Sequence, residues 1–182
     1  MTSVAGGAAG LSALSSIFSS IVSWAMTICQ FIGFWFTFKK MGKPGWKGII
    51  PFYNYYVLFD ELWEKKKFTT YVILSACVLV LSVFCAVFMF ICIFAGVLSA
   101  ESDMNGSGMI LFFVMLALTI LSGIAMMVLI VFLIVLEFKL FNRLARAFGK
   151  STGFAVGMVF VAPVFFMILG FDKSEYYKPV NN

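Results

Sequence analysis

From Phe68 to Leu98 the chain carries no charged side chain, and the same is true from Met109 to Leu136. A helix crossing the hydrocarbon of a bilayer needs about 20 mostly apolar residues. Both runs exceed that length, and so does a third uncharged stretch from Ser12 to Phe38. A fourth run, Phe154 to Gly170, lies at the lower edge of a spanning length and has Pro163 near its middle. Proline there removes a backbone hydrogen bond and kinks a helix, so the expectation is a short kinked span. The alternative is a re-entrant hairpin turning near Pro163, since irregular backbone at that depth is tolerated where it packs against protein. The composition leaves no room for a soluble fold. Of 182 residues 63% are hydrophobic and 12% charged, with a mean hydropathy of +1.06, whereas a soluble domain carries about 25% charge. A soluble domain of this size could not bury that much apolar surface. The expected fold is an all-α helical integral membrane bundle forming a single membrane domain over residues 1–182. It has three secure transmembrane helices, at about 12–38, 68–98 and 109–136, and a short fourth segment at about 154–170.

The few charges are sorted by loop. Residues 39–67 hold seven Lys against Asp60, Glu61 and Glu64; residues 137–153 hold Lys139, Arg143, Arg146 and Lys150 against Glu137; residues 99–108 hold only Glu101 and Asp103. Basic excess marks cytoplasmic loops, which predicts a multi-pass protein of the plasma membrane with its N-terminus outside. Met1 to Gly10 contains no Lys or Arg, unlike the basic start of a secretory signal peptide. The side of the C-terminus follows from whether the fourth segment crosses. Bases this close to the membrane edges suit anionic lipid headgroups. The bilayer, not nucleic acid, is the partner they imply.

The first segment carries a polar stripe. At 100° per residue, Ser12, Ser15, Ser16, Ser19, Ser20, Ser23, Thr27, Gln30, Gly33 and Thr37 fall within about 140°. Small residues at such spacing let helices approach closely. The first reading is therefore a packing seam, inside the protomer or between protomers. The second makes Ser16, Ser20, Ser23, Thr27 and Gln30 the wall of a hydrophilic path.

Gly42, Pro44, Gly45 and Trp46 read as a tight turn. After Pro51, Asn54 is placed to cap a helix from Tyr55 to about Lys66. Leu58, Phe59, Leu62 and Trp63 share one face of it. Asp60, Glu61 and Glu64 share the other, expected as a solvated face. The pattern predicts an interfacial amphipathic helix, with Trp46, Tyr53, Tyr55, Tyr56 and Trp63 at headgroup depth. The third span is expected to run on as a helix to Phe148. Lys139, Arg143, Arg146 and Lys150 form one face, and Gly149 ends the helix. Glu137 falls on the apolar side. An acid so near the bilayer is costly unless paired, and the expected pairing is a structural bond to a neighbouring loop.

Chemistry is poorly provided for. The sequence has no His, the commonest general base and metal ligand. Gly149-Lys150-Ser151 lacks the earlier glycine and the strand of a phosphate-binding loop, Leu144 standing where the glycine belongs. Cys77, Cys85 and Cys92 are about 10–12 Å apart along one helix face, too far for a disulfide. Asp103, Asn105 and Ser107 lack a closing glutamate, with Val114 in its place. No catalytic, cofactor or metal site is expected. The function expected first is a non-enzymatic scaffold or accessory subunit, bound to a membrane-protein partner or to itself as a homo-oligomer. A small transporter or channel subunit is second. A membrane-embedded enzyme using Glu137 with Asn54 and Tyr53 is third.

Two blocks carry a family resemblance. One is Gly42-Lys-Pro-Gly-Trp-Lys-Gly-Ile-Ile-Pro-Phe-Tyr-Asn54. The other is Leu144-Ala-Arg-Ala-Phe-Gly-Lys-Ser-Thr-Gly-Phe154 with Ile168-Leu-Gly-Phe171. Together they resemble a family of uncharacterised bacterial multi-spanning membrane proteins. They are also similar to the N-terminal membrane segment of some bacterial signal peptidases, whose catalytic domain is not found here. The resemblance makes Gly42, Pro44, Gly45, Trp46, Pro51, Asn54, Phe148, Gly149 and Lys150 the family-motif positions. It implies that the two cytoplasmic blocks pack together and favours a C-terminus inside.

Overall fold

The computed structural model describes residues 2–99 and 106–178, all of whose regular structure is helical. The helices are α1 (Thr2–Lys40), α2 (Tyr53–Leu62), α3 (Lys65–Ser99), α4 (Gly106–Ala147), α5 (Thr152–Phe160) and α6 (Ala162–Phe171). A one-turn 3₁₀ helix, Gly45–Gly48, links α1 to α2. Three stretches are long and apolar enough to cross a membrane: Ala13–Lys40, Lys65–Phe94 and Phe112–Ala147. These correspond to the three expected spans, and the third runs on as a helix to Ala147, close to the expected continuation to Phe148. Residues 100–105, with Glu101 and Asp103, lie outside the described residues.

The chain forms two compact units, one of Met1–Lys65 with Phe138–Asn182 and one of Lys66–Glu137. In the second unit α3 and the first part of α4 run antiparallel. Tyr71 donates to Glu137 Oε1 at 3.1 Å, and further along Cys85 Sγ lies 3.1 Å from Ser122 Oγ. The hydroxyls of Ser75, Ser82, Thr119 and Ser122 donate to carbonyls three or four residues earlier in their own helices. In hydrocarbon, where no water can accept, this internal pairing removes the cost of the polar group. All four cysteines, Cys29, Cys77, Cys85 and Cys92, are free thiols.

The first unit holds the core, at the C-terminal ends of α1 and α4. Here α6 lies directly on α1. A Cβ on Gly33 would come within 2.6 Å of the Phe166 carbonyl carbon, so the two backbones touch at a position only glycine fits. Phe34 stacks on Phe166 at 4.1 Å, and Phe141 meets the same ring edge-on at 5.5 Å. From α2, Leu58, Phe59 and Leu62 are wholly buried, as are Leu140 and Leu144 of α4.

Three expectations change. The segment 154–170 is not one kinked span. It is two helices broken at Val161 (φ −133, ψ 54), with Pro163 near the start of the second, where its missing N–H costs nothing. Lys150 before α5 pairs with Asp172 after α6, so the segment returns to its starting point, as in the hairpin alternative. The amphipathic helix stops at Leu62 rather than Lys66. Its apolar face is buried against protein, and α4 meets it through Phe141, 6.4 Å from the Tyr55 ring, and through Arg143. Asn54 is not its N-cap: Phe52 holds that position, with φ 64. Asn54 sits in the first turn instead, where its Oδ1 accepts the N–H of Tyr55 at 2.7 Å.

Candidate functional site

The family-motif positions gather at the joint where α1, α2, α4 and α6 meet. Both long helices end there by the same device. After α1, Gly42 adopts φ 71; its N–H donates to Lys39 and the Lys43 N–H to Phe38. After α4, Gly149 adopts φ 68; its N–H donates to Arg146 and the Lys150 N–H to Ala145. Each is a Schellman cap, with glycine supplying the left-handed residue. Each cap then delivers a lysine. Lys43 pairs with Glu61 at 2.8 Å, and Lys150 pairs with Asp172. Lys150 therefore does not extend the basic face of α4.

Pro44 introduces the 3₁₀ turn. Gly45 then presses on the Trp35 indole, where a Cβ would lie 2.6 Å from the ring. The Trp46 ring is parallel to Tyr53 at 6.1 Å. The Pro51 carbonyl accepts the Tyr53 N–H at 2.8 Å, and buried Asn54 donates from Nδ2 to Gly48 at 3.4 Å. Phe148 is buried and packs against Tyr176 at 5.3 Å.

Glu61 is the electrostatic centre of the joint, and it is not on a solvated face. Its side chain is 11% exposed and receives both Lys43 and Lys178, the latter at 3.3 Å. Burial pushes its carboxyl up, but the hydrogen bonds and charges of the two lysines outweigh this, and its pKa falls below the ordinary value. The hydrogen bond to Glu61 raises Lys43 in turn. The Lys150 hydrogen bond and the Lys173 backbone N–H hold Asp172 low. The C-terminal stretch of chain is tied in: the Tyr177 N–H donates to Ala147 at 2.7 Å, and burial with the charge of Glu61 pushes Tyr176 up to about 12. Lys40 donates to the carbonyls of Leu169 (2.7 Å) and Asp172, closing the end of α6. Arg143 donates to the Leu62 carbonyl at 3.2 Å with its guanidinium 4.8 Å from the Trp63 ring centre.

The stripe on α1 divides. Its end is used: Gly33 is buried against the backbone of α6, and Thr37 is buried as well. Ser16, Ser20 and Ser23 are exposed, and Thr27 and Gln30 are half-buried. Ser19, Ser20 and Thr27 donate to the carbonyls of Ser15, Ser16 and Ser23. Glu137 is half-buried and takes its hydrogen bond from Tyr71 of α3, a neighbouring helix rather than a loop. Among the described residues no group of three or more Cys, Asp or Glu is placed to hold a metal ion.

Glu61, Asp172, Tyr176 and Lys178 escaped the sequence reading. For Glu61 a signal existed, since it stands only about 60° around α2 from Leu58. For the tail there was none, because its partners are far off in sequence.

The fold defines an all-helical protein with three helices of membrane-spanning length. Residues 111–179, covering most of α4 through the tail, match a family of unknown function (DUF5684). No curated protein and no solved structure matches the chain.

Proposed function

We propose that the protein is a non-enzymatic scaffold or accessory subunit of a membrane complex. It is held to a membrane-protein partner, or to a second copy of itself, through the α1 stripe of Ser16, Ser20, Ser23, Thr27 and Gln30. The supporting observation is Gln30. Its carboxamide sits within the Ala13–Lys40 span and has no hydrogen-bond partner among the described residues. A carboxamide in hydrocarbon costs several kcal/mol, about 4–8 by alkane transfer, unless it is paired. The hydroxyls of Ser20 and Thr27 already donate within α1, so the exposed part of the stripe is small, and Gln30 is its one carboxamide. That combination suits a close helix–helix contact sealed by an interhelical hydrogen bond. The absence of His and the pairing of Glu137 with Tyr71 favour association over catalysis.

The basic loops favour a plasma-membrane protein with residues 39–67 and 137–153 in the cytoplasm and the N-terminus outside. The likeness to the membrane segment of bacterial signal peptidases supports a bacterial setting. Cross-linking and native mass spectrometry test the association. A complex or oligomer is expected that Ser16→Phe and Ser20→Phe disrupt. A lone monomer, indifferent to both substitutions, contradicts it.

Gln30 also favours a second reading, a transporter or channel subunit in which water satisfies the carboxamide. Cysteines placed at Ser23, Thr27 and Gln30 in a cysteine-free background would then react with hydrophilic thiol reagents. Complete protection removes this reading.

A further inference from the structure

We propose that the corner between α1 and the 3₁₀ turn binds a single anionic phospholipid. An open groove of about 300 Å³ lies there, lined by Phe31, Ile32, Trp35, Phe36 and Ile49. That is the lower end of small-molecule clefts, room for a length of acyl chain. Its main wall is fixed in advance, because Gly45 lies hard against the Trp35 indole.

Charge identifies the occupant. Of the four lysines between positions 39 and 47, Lys40 is spent on the α6 carbonyls and Lys43 on Glu61. Lys39 and Lys47 pair with no carboxylate among the described residues. Both instead stand over aromatic rings. Lys39 Nζ is 5.6 Å from the centre of Trp35, the same ring that walls the groove. Lys47 Nζ is 5.9 Å from both Trp46 and Tyr53, and Lys47 itself is close in sequence to Ile49. Such cation–π contacts hold an ammonium in place and leave its N–H donors available. The groove lies on the last turns of a membrane-spanning stretch, and Ile32 and Phe36 are exposed beside it. An acyl chain in the groove and a phosphate at the two ammoniums would satisfy both halves of the site. A zwitterionic headgroup would bring its own cation against Lys39 and Lys47.

The test is native mass spectrometry of the whole chain released from nanodiscs of equal phosphatidylglycerol and phosphatidylcholine. One phosphatidylglycerol is expected to remain bound preferentially. In the K39Q/K47Q variant its retention is expected to fall roughly tenfold. The K66Q/K139Q variant, with the same change of net charge, is expected to keep it. Ile32→Trp, which fills the groove, is expected to lose the adduct, and circular dichroism checks that each variant keeps its helix content. Unchanged retention in K39Q/K47Q, or an equal loss in K66Q/K139Q, overturns the proposal. So does displacement by inorganic phosphate with Ile32→Trp unaffected, which would mean a phosphate site and no lipid.

Discussion

Lys150, just beyond α4, forms an ion pair with Asp172, the first residue after α6. The chain between them therefore forms a closed hairpin. Its two helices are about 14 and 15 Å long at about 1.5 Å per residue, half the thickness of a bilayer core. The tip is apolar, with Phe160 79% exposed. Lys40 meets the same end of α6, so the hairpin returns to the end of α1.

The α1–α6 contact depends on Gly33. Gly33→Ala would drive a Cβ into the Phe166 backbone, which cannot yield as a flexible side chain would, and is expected to cost about 1–3 kcal/mol. Gly123→Ala, in α4 with nothing within 4 Å of the new Cβ, is expected to be neutral or stabilising by up to about 1 kcal/mol. Thermal unfolding in detergent compares the two directly.

Gly42 and Gly149 have open space around them, so alanine there is penalised by conformation alone. Each substitution is expected to cost about 1–2 kcal/mol, and asparagine, which tolerates the left-handed region, less. Denaturation midpoints of the four variants check this. Equal effects of Ala and Asn would mean that the glycines serve another purpose.

Tyr71→Phe removes the donor to Glu137 and is expected to cost about 0.5–1.5 kcal/mol, the net range for a hydrogen bond. Unfolding measured with and without the hydroxyl, in wild type and in Glu137→Leu, which has no acceptor, gives the coupling. A coupling near zero would break the assignment.

The Glu61 cluster sets a pH window. The folded pKa of Glu61 is lowered, so its stabilisation is present above the ordinary carboxylate value and is lost as pH falls through the lower folded value. Tyr176 is raised to about 12. Above about pH 10 the unfolded chain ionises first, and stability falls from there. Ultraviolet titration of tyrosinate, compared between wild type and Tyr176→Phe, is expected to show Tyr176 ionising late. Glu61→Gln should bring that ionisation down and shift the acid transition. An unchanged alkaline titration would contradict the proximity of the two groups.

The sequence carried the spans well, because lipid leaves a signal that needs no tertiary context: an uncharged run from Phe68 to Leu98 admits one reading. The glycine that ends α4 was equally readable, since a left-handed residue after a helix has few candidates. The joint was less so. The apolar face of α2 suits a membrane surface or a protein core equally well, and periodicity does not separate them. Glu61 looked solvated because Lys178 lies far along the chain. The turn at Val161 was half visible in Pro163. Whether a kinked segment crosses or returns depends on a long-range pair, Lys150 with Asp172, that no local pattern announces.

The hairpin, and with it the architecture of the joint, is tested most directly by cysteine accessibility in oriented vesicles. The reporters are Lys47→Cys, Lys173→Cys and one near the N-terminus, each in a background with Cys29, Cys77, Cys85 and Cys92 replaced. A membrane-impermeant thiol reagent is expected to label Lys173→Cys from the same side as Lys47→Cys, opposite the N-terminal reporter. Labelling of Lys173→Cys from the side of the N-terminal reporter would mean that residues 154–170 cross the membrane, and would contradict the account.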